Sequence, residues 1–258
     1  LTDKPYMDNI LDAAKTGVTL DGKVMGMTFN CLYQGVYYSR AIFEDLGLSV
    51  PKTLEELDAV IATLEENGII PFASHMVDTW SIGNVTMQFA VNDVFNKYPT
   101  WGDAMKVSGS WSIQNFLDID ENYDFGIFPF PNQTGDAKLL FEPNITFMAS
   151  AQSEYQDAID KVFEVIATDA ALQQEIYDYT KTAPMVKGVT PTFPNPSQTD
   201  IDAYAAEGMI QDVNLGNNQL VWGGFQEENA KDIAEYLQGN ITIEEALNAA
   251  DARRDNSK

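Results

Sequence analysis

Between Asp21 and Gly68 the sequence switches repeatedly between the periodicities of strand and helix, and this alternation restricts its folding more than any other feature. Asp21-Gly22 is a turn signal, and Val24 to Phe29 behind it is rich in strand formers. Val36 to Tyr38 reads as a second strand. Ser39 to Leu46 reads as a short helix with Ile42, Phe43 and Leu46 on one face and Gly47 as its stop. A longer helix follows. Pro51 precedes it, Thr53 caps it and Glu56 completes a capping box. Leu54, Leu57, Val60, Ile61 and Leu64 share its apolar face, and Gly68 ends it. Ile69 to Ala73 reads as a return to the sheet.

The pattern continues downstream. Phe125 to Phe128 and Ile145 to Ala149 read as strands. Ser153 and Gln156 predict another capping box, with Tyr155, Ala158, Ile159, Val162, Phe163 and Ile166 spaced as a buried helical face. A second helix is expected from about Asp169 to Tyr179. Lys181 to Pro196 is proline-rich and should cross irregularly. The last third reads as helical. Ala230, Ile233, Ala234 and Leu237 form one stripe, and Gly239 stops it. Thr242 and Glu245 cap the final helix, with Ala246, Leu247 and Ala250 inward. Alternation of this kind predicts an α/β fold with mostly parallel strands.

A chain of 258 residues with 45% hydrophobic residues can bury a real core. No run approaches the ~20 apolar residues of a membrane-spanning helix. Leu1 to Ile10 does not read as a signal peptide, so any export signal is expected outside this sequence. The formal charge of -24 repels nucleic acid and anionic membranes, and serves solubility. A cation or a positively charged partner is the sharper alternative for such acidity. The single cysteine, Cys31, excludes an internal disulfide, and the single histidine, His75, excludes histidine-rich metal sites.

Signatures of catalysis are lacking. There is no G-x-G-x-x-G, P-loop or G-x-S-x-G. A nucleophilic triad would have to use His75, and Cys31 reads as a buried small hydrophobe. The acidic cluster Asp118, Asp120, Glu121, Asn122 and Asp124 begins like a calcium loop. It fails as an EF-hand, because Tyr123 stands where glycine is needed and Pro129 where glutamate is needed. Neither a catalytic residue, a metal site nor a cofactor is expected. The tryptophans point elsewhere. Trp80, Trp101, Trp111 and Trp222 sit in polar, glycine- and serine-rich segments outside the apolar stripes. An indole face matches the C–H face of a sugar ring, while polar neighbours can bond its hydroxyls.

The order of short motifs is similar to that of the family 1 extracellular solute-binding proteins. These motifs run from Asp21-Gly22-Lys23-Val24-Met25-Gly26-Met27, through Val36-Tyr37-Tyr38-Ser39-Arg40 and Ile42 to Leu48, to Pro51-Lys52-Thr53-Leu54-Glu55-Glu56-Leu57. Gly68 to Ala73, Gly109-Ser110-Trp111 and Asp124 to Pro131 follow. Leu237-Gln238-Gly239, Thr242, Ala246-Leu247 and Asp251 complete the series. The resemblance implies a periplasmic-binding-protein type II fold, with two discontinuous α/β lobes joined by a hinge. Residues 1–34 and 124–188 would form lobe one with the hinge crossings, and residues 35–123 and 189–258 lobe two. Only Leu1 to Leu20 precede the first motif, and the stretch from Phe72 to Trp111 is short for the family, so lobe one is expected to be incomplete.

The resemblance further implies the substrate-binding component of an ABC importer, monomeric and extracytoplasmic, either periplasmic or lipid-anchored. It would capture an oligosaccharide between the lobes and present it to membrane permease subunits, without enzymatic chemistry. Trp111 falls on a family tryptophan that stacks on sugar, Trp222 on a C-terminal aromatic of the cleft, and Trp80 with Asp78 on a segment lining it. Glu142 and Asn144 fall on a cleft loop. Trp101 matches no family role. The alternatives are a binding protein for a polyamine or peptide, and a carbohydrate-active enzyme.

Overall fold

The computed structural model describes residues 1–16, 18–72, 88, 113, 117–118, 120–193, 195–212 and 225–256. A 3-10 turn over Pro5–Asn9 and helix α1 (Asp12–Thr16) lead into a hairpin of β1 (Thr19–Leu20) and β2 (Lys23–Val24). Asp21 and Gly22 make its turn, both at positive φ, 49° and 74°. Two such residues match the right-handed twist of the flanking strands.

The chain then runs nearly straight through β3 (Gly26–Thr28), β4 (Asn30–Gln34) and β5 (Val36–Ser39). A second extended stretch, β6 (Phe125–Phe128), β7 (Leu139–Pro143) and β8 (Thr146–Met148), returns antiparallel along it. β8 pairs with β3, β7 with β4 and β6 with β5. One register holds from Gly26↔Met148 to Gln34↔Leu140, and Asn144 N donates to Asn30 O at 3.1 Å between the two ladders. Beyond Gly35 the register jumps to Val36↔Phe128, and residues 129–138 loop out of the ladder. Glycine is required at the jump. A Cβ on Gly35 would collide with Phe128 O and lie 2.8 Å from Leu139 Cδ1.

β9 (Ala183–Pro184) flanks β4, and β10 (Ile210–Asp212) flanks β7, giving a four-stranded sheet in the order β10-β7-β4-β9. Among the described strand pairs only β10–β7 is parallel, besides an isolated parallel bridge between Thr53 and Asn132. The expectation of mostly parallel strands is therefore corrected. The dominant pairing joins two long strands remote in sequence, which meet head to tail without the βαβ crossover that parallel strands need.

Helix α2 (Arg40–Asp45) is capped by Ser39, whose Oγ accepts from Ile42 N. Helix α3 (Leu54–Glu66) starts with the expected capping box. Thr53 Oγ1 accepts from Glu56 N at 3.2 Å, and Glu56 Oε2 accepts from Thr53 N and from Lys52 N. Those backbone donors hold the Glu56 carboxyl below its ordinary pKa. Leu57, Val60 and Leu64 are buried. Past this helix the expected return to the sheet fails over residues 69–72. Ile69 N donates to Leu64 O at 2.9 Å in a Schellman closure around Gly68, and Ile70 is left 83% exposed.

Helices α4 (Gln156–Thr168) and α5 (Ala170–Thr180) pack beneath the ribbon. The capping box expected at Ser153 does not form. Ser153 Oγ accepts from Tyr155 N instead, the helix starts later, and Tyr155 and Val162 of the expected buried face are exposed. Asp169 caps α5 by accepting from Ala171 N and Leu172 N. Helices α6 (Gln198–Ala206), α7 (Phe225–Leu237) and α8 (Ile243–Asn256) complete the described chain. Thr242 and Glu245 cap α8 as expected. α7 and α8 pack together, burying Ala230, Ala234 and Ala246. Such a close, alanine-lined contact leaves Leu237 and Leu247, both expected inward, exposed.

Among the described residues two apolar clusters can be traced. The first joins Tyr6, Met7, Ile10, Met27, Phe29, Cys31 and Phe141 to Phe163, Tyr177 and Met185. The second joins Ile127 and Leu139 to Ile201, with Tyr37 and Tyr204 packed on it. Both strands of the ribbon contribute to both clusters, and Tyr33 touches each. Among the described residues no helix is long and apolar enough to cross a membrane.

Candidate functional site

Strand residues alternate between faces, and the ribbon divides its chemistry accordingly. Its odd-numbered residues, Met27, Phe29, Cys31, Tyr33 and Tyr37, pack into the two clusters. Its even-numbered residues include Thr28, Asn30 and Gln34. The returning strand sets Glu142, Asn144 and Thr146 on the same face, because Leu32 pairs with Glu142 and the register continues to Thr28↔Thr146. The flanking strands extend it, with Gln211 opposite Leu140 and Thr182 following Leu32 in register beside β4. Thr28, Asn30, Gln34, Glu142, Thr182 and Gln211 are all buried. Unbonded buried polar groups are costly, so a face of this kind persists only when its members bond one another or a ligand.

The bonds are specific. Gln34 Nε2 donates to Glu142 Oε2. Asn30 Nδ2 donates to Thr182 Oγ1 at 3.2 Å, while its Oδ1 accepts from Ile145 N at 3.1 Å. Thr182 Oγ1 and Thr180 Oγ1 lie 2.7 Å apart, as do Thr28 Oγ1 and Thr146 Oγ1. Hydroxyls and amides both donate and accept, so the face can exchange partners with a ligand rich in hydroxyls. Its Gln34 end, next to Tyr33, adjoins the point where the ribbon passes from one cluster to the other.

Of the sequence-predicted site residues, the structure brings Glu142 and Asn144 together on this face. Glu142 lies in β7 itself, and Asn144 joins β7 to β8. Trp80, Trp111, Trp222 and Asp78 lie outside the described residues, as do Trp101 and His75. Sequence reasoning missed Thr28, Asn30, Gln34, Thr182 and Gln211. Polar residues at Thr28, Asn30 and Gln34, interrupted at Leu32, were the available signal. Asn and Gln are weak strand formers, and they mask it.

Other candidates are spent on structure. Cys31 is buried in the first cluster, and burial pushes its thiol pKa well up, so it holds no reactive thiolate. In the acidic cluster, Asp120 Oδ1 accepts from Asn122 N at 2.9 Å, and Asp124 pairs with Arg40 at 2.6 Å. Among the described residues no group of three or more His, Cys, Asp and Glu is arranged to hold a metal ion. Arg40 also bonds Asp200 at 2.8 Å, and Asp200 Oδ2 accepts from Ile127 N at 2.9 Å. A surface hollow of about 440 Å³ is lined by Lys4, Tyr6, Asn9, Asp160, Glu164 and Thr168. None of the predicted residues lines it, and Asp160 is engaged by both Lys4 and Tyr6. The polar face of the ribbon remains the better candidate, since its bonded groups are desolvated and converge.

Comparison with known proteins places this geometry in context. Residues 2–173 match the model of a family described as bacterial extracellular solute-binding protein. The multiple sugar-binding protein of Streptococcus mutans is 20% identical, with 73% of this chain and 58% of that protein covered. The chain thus spans somewhat over half the length of this curated relative. Among solved structures, the solute-binding protein RafE in complex with raffinose superposes with a TM-score of 0.73 at 18% identity, covering 98% of this chain and 78% of that one. A sugar transporter from Bacillus licheniformis in complex with stachyose superposes at 0.74 and 15% identity, covering 98% and 79%. At such identities the likeness establishes the fold, which is the α/β fold of type II periplasmic binding proteins.

Proposed function

Because the chain belongs to the family of bacterial extracellular solute-binding proteins, we propose that it is the substrate-binding component of an ABC importer for an oligosaccharide. The sugar is held between two lobes, residues 1–34 with 124–188 and residues 35–123 with 189–258. The observation that carries this reading is the buried polar face of Thr28, Asn30, Gln34, Glu142 and Thr182 on strands shared by both apolar clusters. Sugar hydroxyls need paired donors and acceptors at a junction that both lobes can reach, and amide, carboxyl and hydroxyl groups supply them. Trp80, Trp111 and Trp222 add stacking surfaces, Asp78 adds an acceptor, and Asn144 extends the polar row.

Ligand touching both lobes is bound best in a closed arrangement, so binding shifts the equilibrium toward closure. A membrane permease then reads the closed form. The family and its relatives bind solutes, and binding requires no bond to be made or broken. The protein acts outside the cytoplasm, periplasmic or held by a lipid anchor, as a monomer. The similarity to a multiple sugar-binding protein and to proteins solved with raffinose and with stachyose supports the ligand class.

Calorimetric titration of the full-length protein with a panel of oligosaccharides tests the proposal. Saturable binding of a saccharide without its cleavage is expected. The formal charge of -24 makes a polyamine the informative control. Binding of a polyamine or peptide and of no sugar would replace the ligand class, and cleavage of a glycan would replace the transport reading with an enzymatic one.

A further inference from the structure

Lys181 closes helix α5 in the left-handed region, at φ 53° and ψ 33°. Among the described residues the only other non-glycine at positive φ is Asp21, in the turn between β1 and β2. Glycine ends a helix in this conformation without penalty, whereas the Cβ of any other residue crowds the following carbonyl. Backbone preference therefore does not account for a lysine here.

Side-chain contacts do. Lys181 Nζ lies 5.1 Å from the centre of the Phe193 ring, within reach of cation–π attraction. Phe193 is itself fixed from α5. Asp178 Oδ1 accepts from Phe193 N at 3.1 Å and from Thr192 N at 2.7 Å. Asp178 Oδ2 accepts from Thr192 Oγ1 at 2.5 Å and from Gln174 Nε2 at 2.9 Å. The ring is thus presented to the ammonium group by the same helix that Lys181 ends.

The left-handed turn folds Thr182 back on Thr180, and their hydroxyl oxygens lie 2.7 Å apart. Thr180 Oγ1 donates to Ile176 O at 2.8 Å. A hydroxyl has one hydrogen to give, so Thr182 is the donor to Thr180. Thr182 Oγ1 accepts in turn from Asn30 Nδ2 at 3.2 Å, and Asn30 Oδ1 accepts from Ile145 N at 3.1 Å. The bonds run in one direction, from Asn30 through Thr182 and Thr180 to a carbonyl of α5. They set the Asn30 amide with its nitrogen toward Thr182 and its oxygen toward Ile145. Asn30 and Thr182 are buried members of the polar face.

We propose that Lys181 is a positioning residue for that face: its hold on Phe193 keeps the end of α5 left-handed, and the turn keeps Thr180, Thr182 and Asn30 aligned to meet a saccharide. The saccharide rests on the sugar-binding reading, and the alignment of the three side chains is independent of it.

Two variants of the full chain provide the test. Lys181→Gly accepts the left-handed backbone but loses the ammonium group, whereas Lys181→Arg keeps a cation over the ring. In calorimetric titration with a saccharide that the native protein binds, Lys181→Gly should weaken affinity about three- to tenfold, with Tm little changed, and Lys181→Arg should bind as the native protein does. In hydrogen exchange without ligand, followed by NMR, the Ile145 amide should exchange about three- to tenfold faster in Lys181→Gly and at the native rate in Lys181→Arg. Native affinity or native Ile145 exchange in Lys181→Gly would overturn the proposal, as would equal effects in Lys181→Arg. If Lys181→Gly does not fold, Lys181→Met, which keeps the stem without the charge, takes its place with the same expectations. If the native protein binds no saccharide, the sugar-binding reading fails by itself, and Ile145 exchange alone decides the positioning.

Discussion

Gln34 and Glu142 meet diagonally across the β4–β7 ladder, with the Gln34 amide donating to Glu142 Oε2 inside the protein. Gln34 itself pairs with Leu140 in register. The bond thus locks one strand against sliding past the other along a face that is polar and buried. Replacing Gln34 by Leu takes one donor from a buried carboxyl group and should lower the unfolding free energy by about 1–3 kcal/mol. Urea denaturation reads this as a lower midpoint at unchanged slope. An unaltered midpoint would mean that the pair contributes nothing to the ribbon.

Gly35→Ala should also destabilise the fold. Its methyl group would press on Phe128 O and on Leu139 Cδ1, both in the interior. Overpacking of this kind costs about 1–3 kcal/mol. Calorimetry should show a lower Tm, and a Tm equal to that of the parent would show that the register jump tolerates a side chain.

Thr53→Ala removes the side-chain acceptor for Glu56 N at the start of α3. A loss of about 0.5–2 kcal/mol is expected. Thr53→Ser keeps the hydroxyl and should restore most of it. Equal losses in the two variants would assign the effect to packing of the Thr53 methyl group.

Asp178 predicts a pH dependence. The hydrogen bond from the Thr192 hydroxyl is the first cause that lowers its carboxyl from 3.8 to about 2, with bonds from the Thr192 amide, Gln174 and the Phe193 amide adding to it. The unfolded chain binds the proton more readily than the folded one, so the group stabilises the fold above about pH 4. That contribution falls away as pH drops toward 2. The Tm gap between native protein and Asp178→Asn should be widest above pH 4 and should narrow below it. A solvent-accessible carboxylate is screened, so the gap will be modest. A gap that is constant from pH 5 to pH 2 would rule out the carboxylate as its source.

For ligand binding, Trp111→Ala should weaken saccharide affinity by about 1–3 kcal/mol, the scale of buried aromatic anchors. Trp101→Ala, at the tryptophan without an assigned role, should leave affinity unchanged. Isothermal titration separates the two, and equal affinities for Trp111→Ala and the native protein would return Trp111 to a packing role.

Much of the fold was legible in the residues. The Thr53–Glu56 box, the Ser39 and Asp169 starts and the Thr242–Glu245 cap are short-range contracts between a side chain and backbone a few residues away. Phe125–Phe128 is a strand because a short apolar run closed by Asp124 on one side and Pro129 on the other is suited to little else. The ordered motifs from Asp21 to Asp251 carried the family. Local signals misled where a competing bond was closer, as at Ser153, or where exposure depends on a neighbour, as at Leu247.

What only the tertiary structure decided is the meeting of distant segments. Nothing in residues 28–34 states that residues 140–146 will lie beside them, or that Glu142 will take the Gln34 amide across a separation of 108 residues. Periodicity fixes which side chains share a face of one strand, because the pleat is a local property. It does not say which strand comes next, since pairing is chosen by the burial of whole faces. The antiparallel ribbon, its polar side and the hold of Asp178 on Thr192 are consequences of that choice.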